Sequence, residues 1–136
     1  MKSPNTAESD LTWVAAKFVQ DTAGVRYAVV LSADGLALAE GGSLPTDQAD
    51  RLAAVASGVY SLAIGISHVF GLDAYEQSIL RFAGGHVLIT ALAKGAALAV
   101  VTQHDARLGV VAHQMALFAD RLGENLDPAP RTVTGS

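Results

Sequence analysis

The sequence contains no cysteine and little charge, and these two shortages exclude several classes of protein. Without cysteine there is no disulfide, no thiolate nucleophile and no cysteine-ligated zinc site. Charged residues make up only 16% of the chain, against roughly 25% in a typical soluble domain. The nine Lys and Arg residues are scattered singly and the net charge is −4, so no basic run could follow a phosphate backbone. Nucleic acid is therefore not an expected partner.

Apolar side chain, by contrast, is abundant. Hydrophobic residues make up 51% of a chain of 136 residues, a length that suits one domain. The core of a single domain of this length rarely buries so much apolar surface. The composition therefore predicts either a membrane span or a surface that another subunit covers.

The two ends of the chain differ in composition from its middle. Residues 1–9 are polar, and residues 127–136 are interrupted by two prolines. We expect both segments to be flexible and to flank one domain over residues 10–126. The polar N-terminus lacks the apolar segment of a signal peptide. The default expectation is a cytoplasmic protein that reaches a membrane only through its partners.

Apolar spacing predicts eight elements in the order α-β-β-α-β-β-β-α. Ser9 or Asp10 is the expected N-cap of the first helix, and glycines are expected to end the helices at Gly24, Gly71 and Gly123. The predicted helices span 10–23, 46–70 and 105–122, and the predicted strands span 25–31, 36–40, 77–82, 86–93 and 96–102. Two-residue turns at Gly84-Gly85 and Lys94-Gly95 require antiparallel neighbours.

These elements predict an α+β fold, a three-layer sandwich around a five-stranded antiparallel sheet. The second helix is expected on one face of the sheet, and the first and third helices on the other. Residues 77–82 alternate between polar and apolar and are expected at a sheet edge, whereas the last two strands are continuous apolar runs, as expected for strands covered on both faces.

The second helix is unusual because it has no charged residue from Leu52 to Leu72. This length could span a bilayer. Its serines, its two glycines and His68 make it a poor insertion segment, so we expect no direct membrane insertion. A helix without a charged face is normally buried on both sides.

A helical wheel divides this helix into two faces. The large apolar residues share one face, which we predict to be the core face: Leu52, Val55, Val59, Leu62, Ile66 and Val69. The opposite face has smaller residues, and those at positions 54, 58, 61 and 65 would let another backbone approach closely. We predict that this second face contacts another molecule.

No catalytic, cofactor-binding or metal-binding residue is predicted. The sequence has no Gly-Lys pair for a phosphate-binding P-loop, no G-x-S-x-G elbow and no H-x-x-x-H pair. Asp34 lies between two predicted strands in Ala33-Asp34-Gly35, which is typical of a hairpin turn. Arg51 and Arg81 could act as arginine fingers on a partner's phosphate, but solvated surface arginines are far more common.

Several segments resemble the Roadblock/LC7 domain family, and more closely its bacterial subgroup encoded in conservon operons beside a small GTPase. The most specific is G-V-x-x-A-x-x-L-S-x-D-G-L, over residues 24–36. The resemblance covers about residues 11–126, and its other segments are Leu11-Thr12-Trp13 with Phe18, 50–58, 95–100, and 108–112 with Met115. Lys94 and Ala97 stand where the subgroup would have an acid and a cysteine, a departure that bears on partner preference more than on the fold.

The resemblance implies a profilin-like fold and a homodimer in which the second helix packs on its mate and the third strand extends the sheet. It also implies a non-enzymatic protein that binds a small Ras-like GTPase and modulates its nucleotide cycle, as a related gliding-motility protein does by accelerating hydrolysis. No active-site residue or cofactor is implied. The predicted interface residues are Ala54, Ser57, Gly58, Tyr60, Ser61, Ile64, Gly65, His68, Ile79 and Arg81.

Two alternatives remain open. The protein could be a structural adaptor that joins a sensor kinase or another protein to a complex without affecting a nucleotide cycle. It could also be a small-ligand sensor, although the central strands offer few polar groups to hold a ligand.

Overall fold

Three α-helices and five β-strands follow one another in the predicted order in the computed structural model, which describes residues 6–126. The helices are α1 (Thr6–Asp21), α2 (Thr46–Phe70) and α3 (Leu108–Leu126). The strands are β1 (Val25–Leu31), β2 (Ala37–Gly41), β3 (Gln77–Phe82), β4 (Gly85–Ala91) and β5 (Ala97–Gln103).

The strands form one antiparallel sheet in the order β2-β1-β5-β4-β3. Alternate residues of β1 enter two separate cores: Val29 and Leu31 pack with α2, whereas Ala28 and Val30 pack with α1 and α3. The predicted three-layer sandwich is confirmed, with β3 at a sheet edge. The continuous apolar runs of the inner strands are explained because both faces of these strands are covered.

Some element ends differ from the predictions. The first helix begins at Thr6 and not at a cap at Ser9 or Asp10. The third begins at Leu108 and continues through Gly123 to Leu126, because one glycine costs a helix only about 1 kcal/mol, which packing readily overrides. The β4–β5 connection is a 3₁₀ turn over Ala93–Gly95 instead of a two-residue turn. Residues 1–5 and 127–136 lie outside the described residues, so flexible ends and the boundaries at residues 10 and 126 remain predictions.

Helix α2 ends where the sequence indicates, at Gly71, which adopts a left-handed conformation and donates its N–H to the carbonyl of Ser67. Within residues 6–126 it is the one helix whose length and composition would let it cross a membrane. A mostly buried core helix of a soluble protein meets the same criterion, whereas 11% of the apolar window of α2 is buried, on the side that packs on the sheet.

Asp34 is the corner of the β1–β2 hairpin. The Gly35 N–H donates to the Ser32 carbonyl at 2.9 Å, and the Ser32 N–H donates to the Leu36 carbonyl at 2.9 Å. Gly35 has a φ of 83°, a conformation that glycine adopts without strain, and the Ser32 hydroxyl bonds the Asp34 carboxylate. The carboxylate therefore closes a turn, as the sequence predicts.

The β2 edge of the sheet lies directly beneath α1. A Cβ added to Gly41 would lie 2.7 Å from the carbonyl carbon and oxygen of Ala15 and 2.8 Å from the Cα of Ala16. Only glycine permits this approach of helix and strand, because both obstacles are backbone atoms.

We expect Gly41→Ala to lower the free energy of unfolding by about 1–3 kcal/mol, because α1 must move away from the sheet to admit the methyl group. Chemical denaturation measures this loss. Gly109→Ala is the matched control, since a Cβ at Gly109 meets nothing within 4 Å. Equal stability of the Gly41 variant and the original protein would contradict the close contact.

Candidate protein interface

The side of α2 that faces the sheet is made of small residues. Ala49, Ala53 and Ala56 are buried and pack on a core that includes Ala97 and Ala99 of β5. The same cluster contains the larger Val29, Leu31 and Ile89 of the sheet, which pack beside these alanines. Leu52 and Val59 flank this face and are partly buried.

The predicted core face of α2 is therefore largely wrong. Val55, Leu62, Ile66 and Val69 are exposed, and Leu62 and Val69 keep 73% and 74% of their surface accessible. Hydrophobic periodicity correctly placed these residues on one face of the helix. It did not show that this face points to solvent, because the alanines and not the large residues pack on the sheet. We call these four residues the α2 apolar stripe. A stripe of this kind on a monomer marks a surface for another molecule.

The free edge of the sheet is the second interface feature. Strand β3 pairs with β4 on one side only, so its other side presents unpaired backbone N–H and C=O groups. Ile79 and Phe82 on this strand are exposed. The opposite edge strand, β2, also pairs on one side only, and α1 packs over its face at Gly41.

The structure divides the predicted interface residues into two groups. Exposed ones are Ala54, Gly58, Ser61, Gly65, His68, Ile79 and Arg81. Three others are partly buried: Ser57, Tyr60 and Ile64. Ser57 already packs on the β1–β2 hairpin, where its hydroxyl oxygen lies 3.3 Å from the position of a Cβ on Gly35. Sequence analysis left the α2 apolar stripe out of the interface because large residues at helical spacing usually belong to a core.

Two tyrosines join α2 to the beginning of β3. The rings of Tyr60 and Tyr75 lie 5.0 Å apart between their centres. The Tyr75 hydroxyl lies 2.7 Å from the Ser78 hydroxyl and donates to the Ile89 carbonyl at 3.0 Å. Burial raises the pKa of Tyr75, and the nearby Tyr60 adds to this, while the bond to Ser78 opposes it. This contact brings the free β3 edge to the side of the molecule where α2 lies.

We expect Tyr75→Phe to lower stability by about 1 kcal/mol at neutral pH, because it removes partly buried hydrogen bonds. Because its pKa is raised in the folded protein, the Tyr75 phenol ionises first in the unfolded chain, and it therefore costs stability as the pH rises above about 10. The variant should lose less stability over that range than the original protein. Denaturation curves at neutral pH and above a pH of about 10 measure the effect.

Tyr27→Phe is the control, since the Tyr27 hydroxyl accepts a hydrogen bond from exposed Arg26. An identical pH response of the two variants would contradict the raised pKa of Tyr75.

Side chains that could bind a metal ion are not clustered anywhere among residues 6–126. No group of three or more His, Asp or Glu side chains among residues 6–126 could hold a metal ion. Of the four histidines, His86 is buried, and its Nδ1 lies 3.4 Å from the Thr102 hydroxyl oxygen. The other three histidines are exposed at separate places. The prominent features of the molecule are surfaces for contact.

The comparisons with known proteins agree with this geometry. The sequence matches the family model of the Roadblock/LC7 domain over residues 11–102. A Roadblock/LC7 domain from Streptomyces avermitilis is 30% identical, with 85% of this chain and 96% of that chain covered and a TM-score of 0.79. A second structure of a Roadblock/LC7 domain from that organism is 35% identical, with coverages of 82% and 96% and a TM-score of 0.67.

Similarity of fold extends beyond similarity of sequence. MglB of Myxococcus xanthus is 13% identical, yet 98% of this chain and 100% of that chain superpose with a TM-score of 0.85. No curated protein sequence is significantly similar to this chain.

Proposed function

Because the chain belongs to the Roadblock/LC7 domain family, we propose that it is a non-enzymatic, dimeric regulatory subunit that binds a small Ras-like GTPase and modulates its nucleotide cycle. The observation that carries the proposal is the α2 apolar stripe, exposed on the helix that contacts the beginning of the edge strand β3. The resemblance of residues 24–36 to the conservon subgroup supports the choice of a GTPase as partner. We expect the protein to work in the cytoplasm and to reach a membrane only through its partners.

The dimer would join two copies of the same surface around a two-fold axis. Two antiparallel β3 strands would continue the sheet, and two α2 helices would bury their stripes against each other. At about 1.5 Å per residue, the 25 residues of α2 extend over roughly 37 Å. A helix of this length and a paired strand together have the dimensions of an interface of about 800 Å² per partner, which a stable dimer requires.

We expect Leu62→Glu to convert the dimer to a monomer, because a carboxylate would be buried without a partner at the centre of the stripe. Molar mass from light scattering or sedimentation at several concentrations measures this. Val110→Glu is the matched control, since Val110 is a comparably exposed apolar residue on α3, on the other face of the sheet. A dimer mass retained by the Leu62 variant would refute this placement of the interface.

The protein would regulate the GTPase by positioning the GTPase's own groups and not by contributing a catalytic residue. An effect on hydrolysis would then come from ordering the partner's own catalytic groups. Arg51 and Arg81 are exposed. In the alternative mechanism, one of them would act as an arginine finger that stabilises the charge of the transition state. Loss of an arginine finger typically costs 10³–10⁵ in rate.

The partner is tested by retention of proteins from a native lysate on the tagged protein, with a GTP analogue and with GDP. We expect a small GTPase to be held preferentially in one nucleotide state, and its hydrolysis rate to change when the protein is added. Arg51→Ala and Arg81→Ala should leave that change intact if the effect is positional. Binding with identical hydrolysis rates would favour the adaptor, with a sensor-kinase-like protein among its candidate partners, and retention of other proteins without a GTPase would contradict the proposal.

A further inference from the structure

A groove between α1 and α3 lies on the face of the sheet opposite α2. It has a volume of about 400 Å³. Phe18 and Phe118 meet edge to face at its base, 5.5 Å between ring centres, and Leu122 extends this apolar floor. Trp13 stands on the α1 side and Arg121 on the α3 side. We call this feature the α1–α3 groove.

Trp13 is the most conspicuous residue of the groove. It is the only tryptophan in the sequence, and 65% of its surface is exposed. The Lys17 ammonium lies 5.9 Å from its ring centre and covers one part of the ring. Tryptophan is enriched among the residues that contribute most of the binding energy at protein interfaces. Because it lies on the opposite face from the α2 apolar stripe, the proposed dimer would not cover it.

The chain itself carries a segment within reach of the groove. Arg121 and Leu122 line the groove, and α3 ends one turn later at Leu126. Residues 127–133 therefore continue from a point about 6 Å beyond the last groove residue, at 1.5 Å per helical residue. Extended at about 3.1 Å per residue, these seven residues cover roughly 22 Å. The α3 wall from Gln114 to Leu122 is only about 12 Å long, so the segment can turn back and still cross it.

The sequence of this segment suits a groove of this kind. Pro128 and Pro130 oppose continuation of the helix and favour an extended backbone, and they lower the entropy lost on binding. Extended proline segments characteristically bind to aromatic-lined grooves. Val133 supplies an apolar side chain three residues beyond the second proline. We propose that residues 127–133 of this chain bind back into the α1–α3 groove against Trp13.

The single tryptophan makes the proposal directly measurable. The full chain is compared with a chain that ends at Leu126, using the emission maximum of Trp13 and its quenching by acrylamide. We expect emission at shorter wavelength and weaker quenching in the full chain, since the segment would shield the ring. A synthetic peptide of residues 127–136 should restore both properties to the shortened chain in a saturable manner.

Full-length variants keep the test valid if the shortened chain is unstable. Val133→Asp should move the emission and quenching toward those of the shortened chain, whereas Ser136→Asp, which adds the same charge outside the proposed segment, should not. A chain without residues 1–5 should retain the shielding, which assigns it to the C-terminal segment. Equal quenching in the full chain, the shortened chain and the Val133 variant would overturn the proposal and leave the C-terminal segment free, as its composition alone suggests.

Discussion

The packing of the α2 alanines on the sheet governs much of this molecule. Ala53 and Ala56 are buried in one cluster with Val29, Leu31 and Ile89 of the sheet, beside Ala97 and Ala99. The large apolar residues of the α2 apolar stripe lie on the remaining sides of the helix, where they are exposed. One packing constraint thus builds the core and, at the same time, leaves an apolar surface exposed to solvent.

The two edges of the sheet have different neighbours. At the β2 edge, Gly41 lets the backbone of α1 approach the face of the strand. At the β3 edge, the Tyr60–Tyr75 contact links the strand to α2. Edge pairing and burial of the α2 apolar stripe can therefore occur around one axis, which is the requirement for a closed assembly instead of an open fibre.

Local signals predicted most of the fold. Strands β1 and β3 and the C-terminal end of α2 agree with the sequence residue for residue, because turn residues and apolar runs determine them within a few positions. The orientation of α2 could not be predicted in this way. A helical wheel separates Leu62 from Ala53 but carries no information on which side faces the sheet, and that side packs on residues more than forty positions away in β5. The interface prediction consequently included the neighbours of the stripe and omitted the stripe itself.

The two helical layers then serve different purposes. On one face, α2 buries small residues inward and leaves Val55 and Leu62 exposed, so its core packing and its apolar surface lie on opposite sides of the same helix. On the other face, α1 and α3 bury large residues such as Phe18 and Phe118 and stay far enough apart to leave a groove between them. The two candidate surfaces lie on opposite faces of the sheet. The proposed self-association and the proposed contact in the α1–α3 groove would therefore not compete for the same residues.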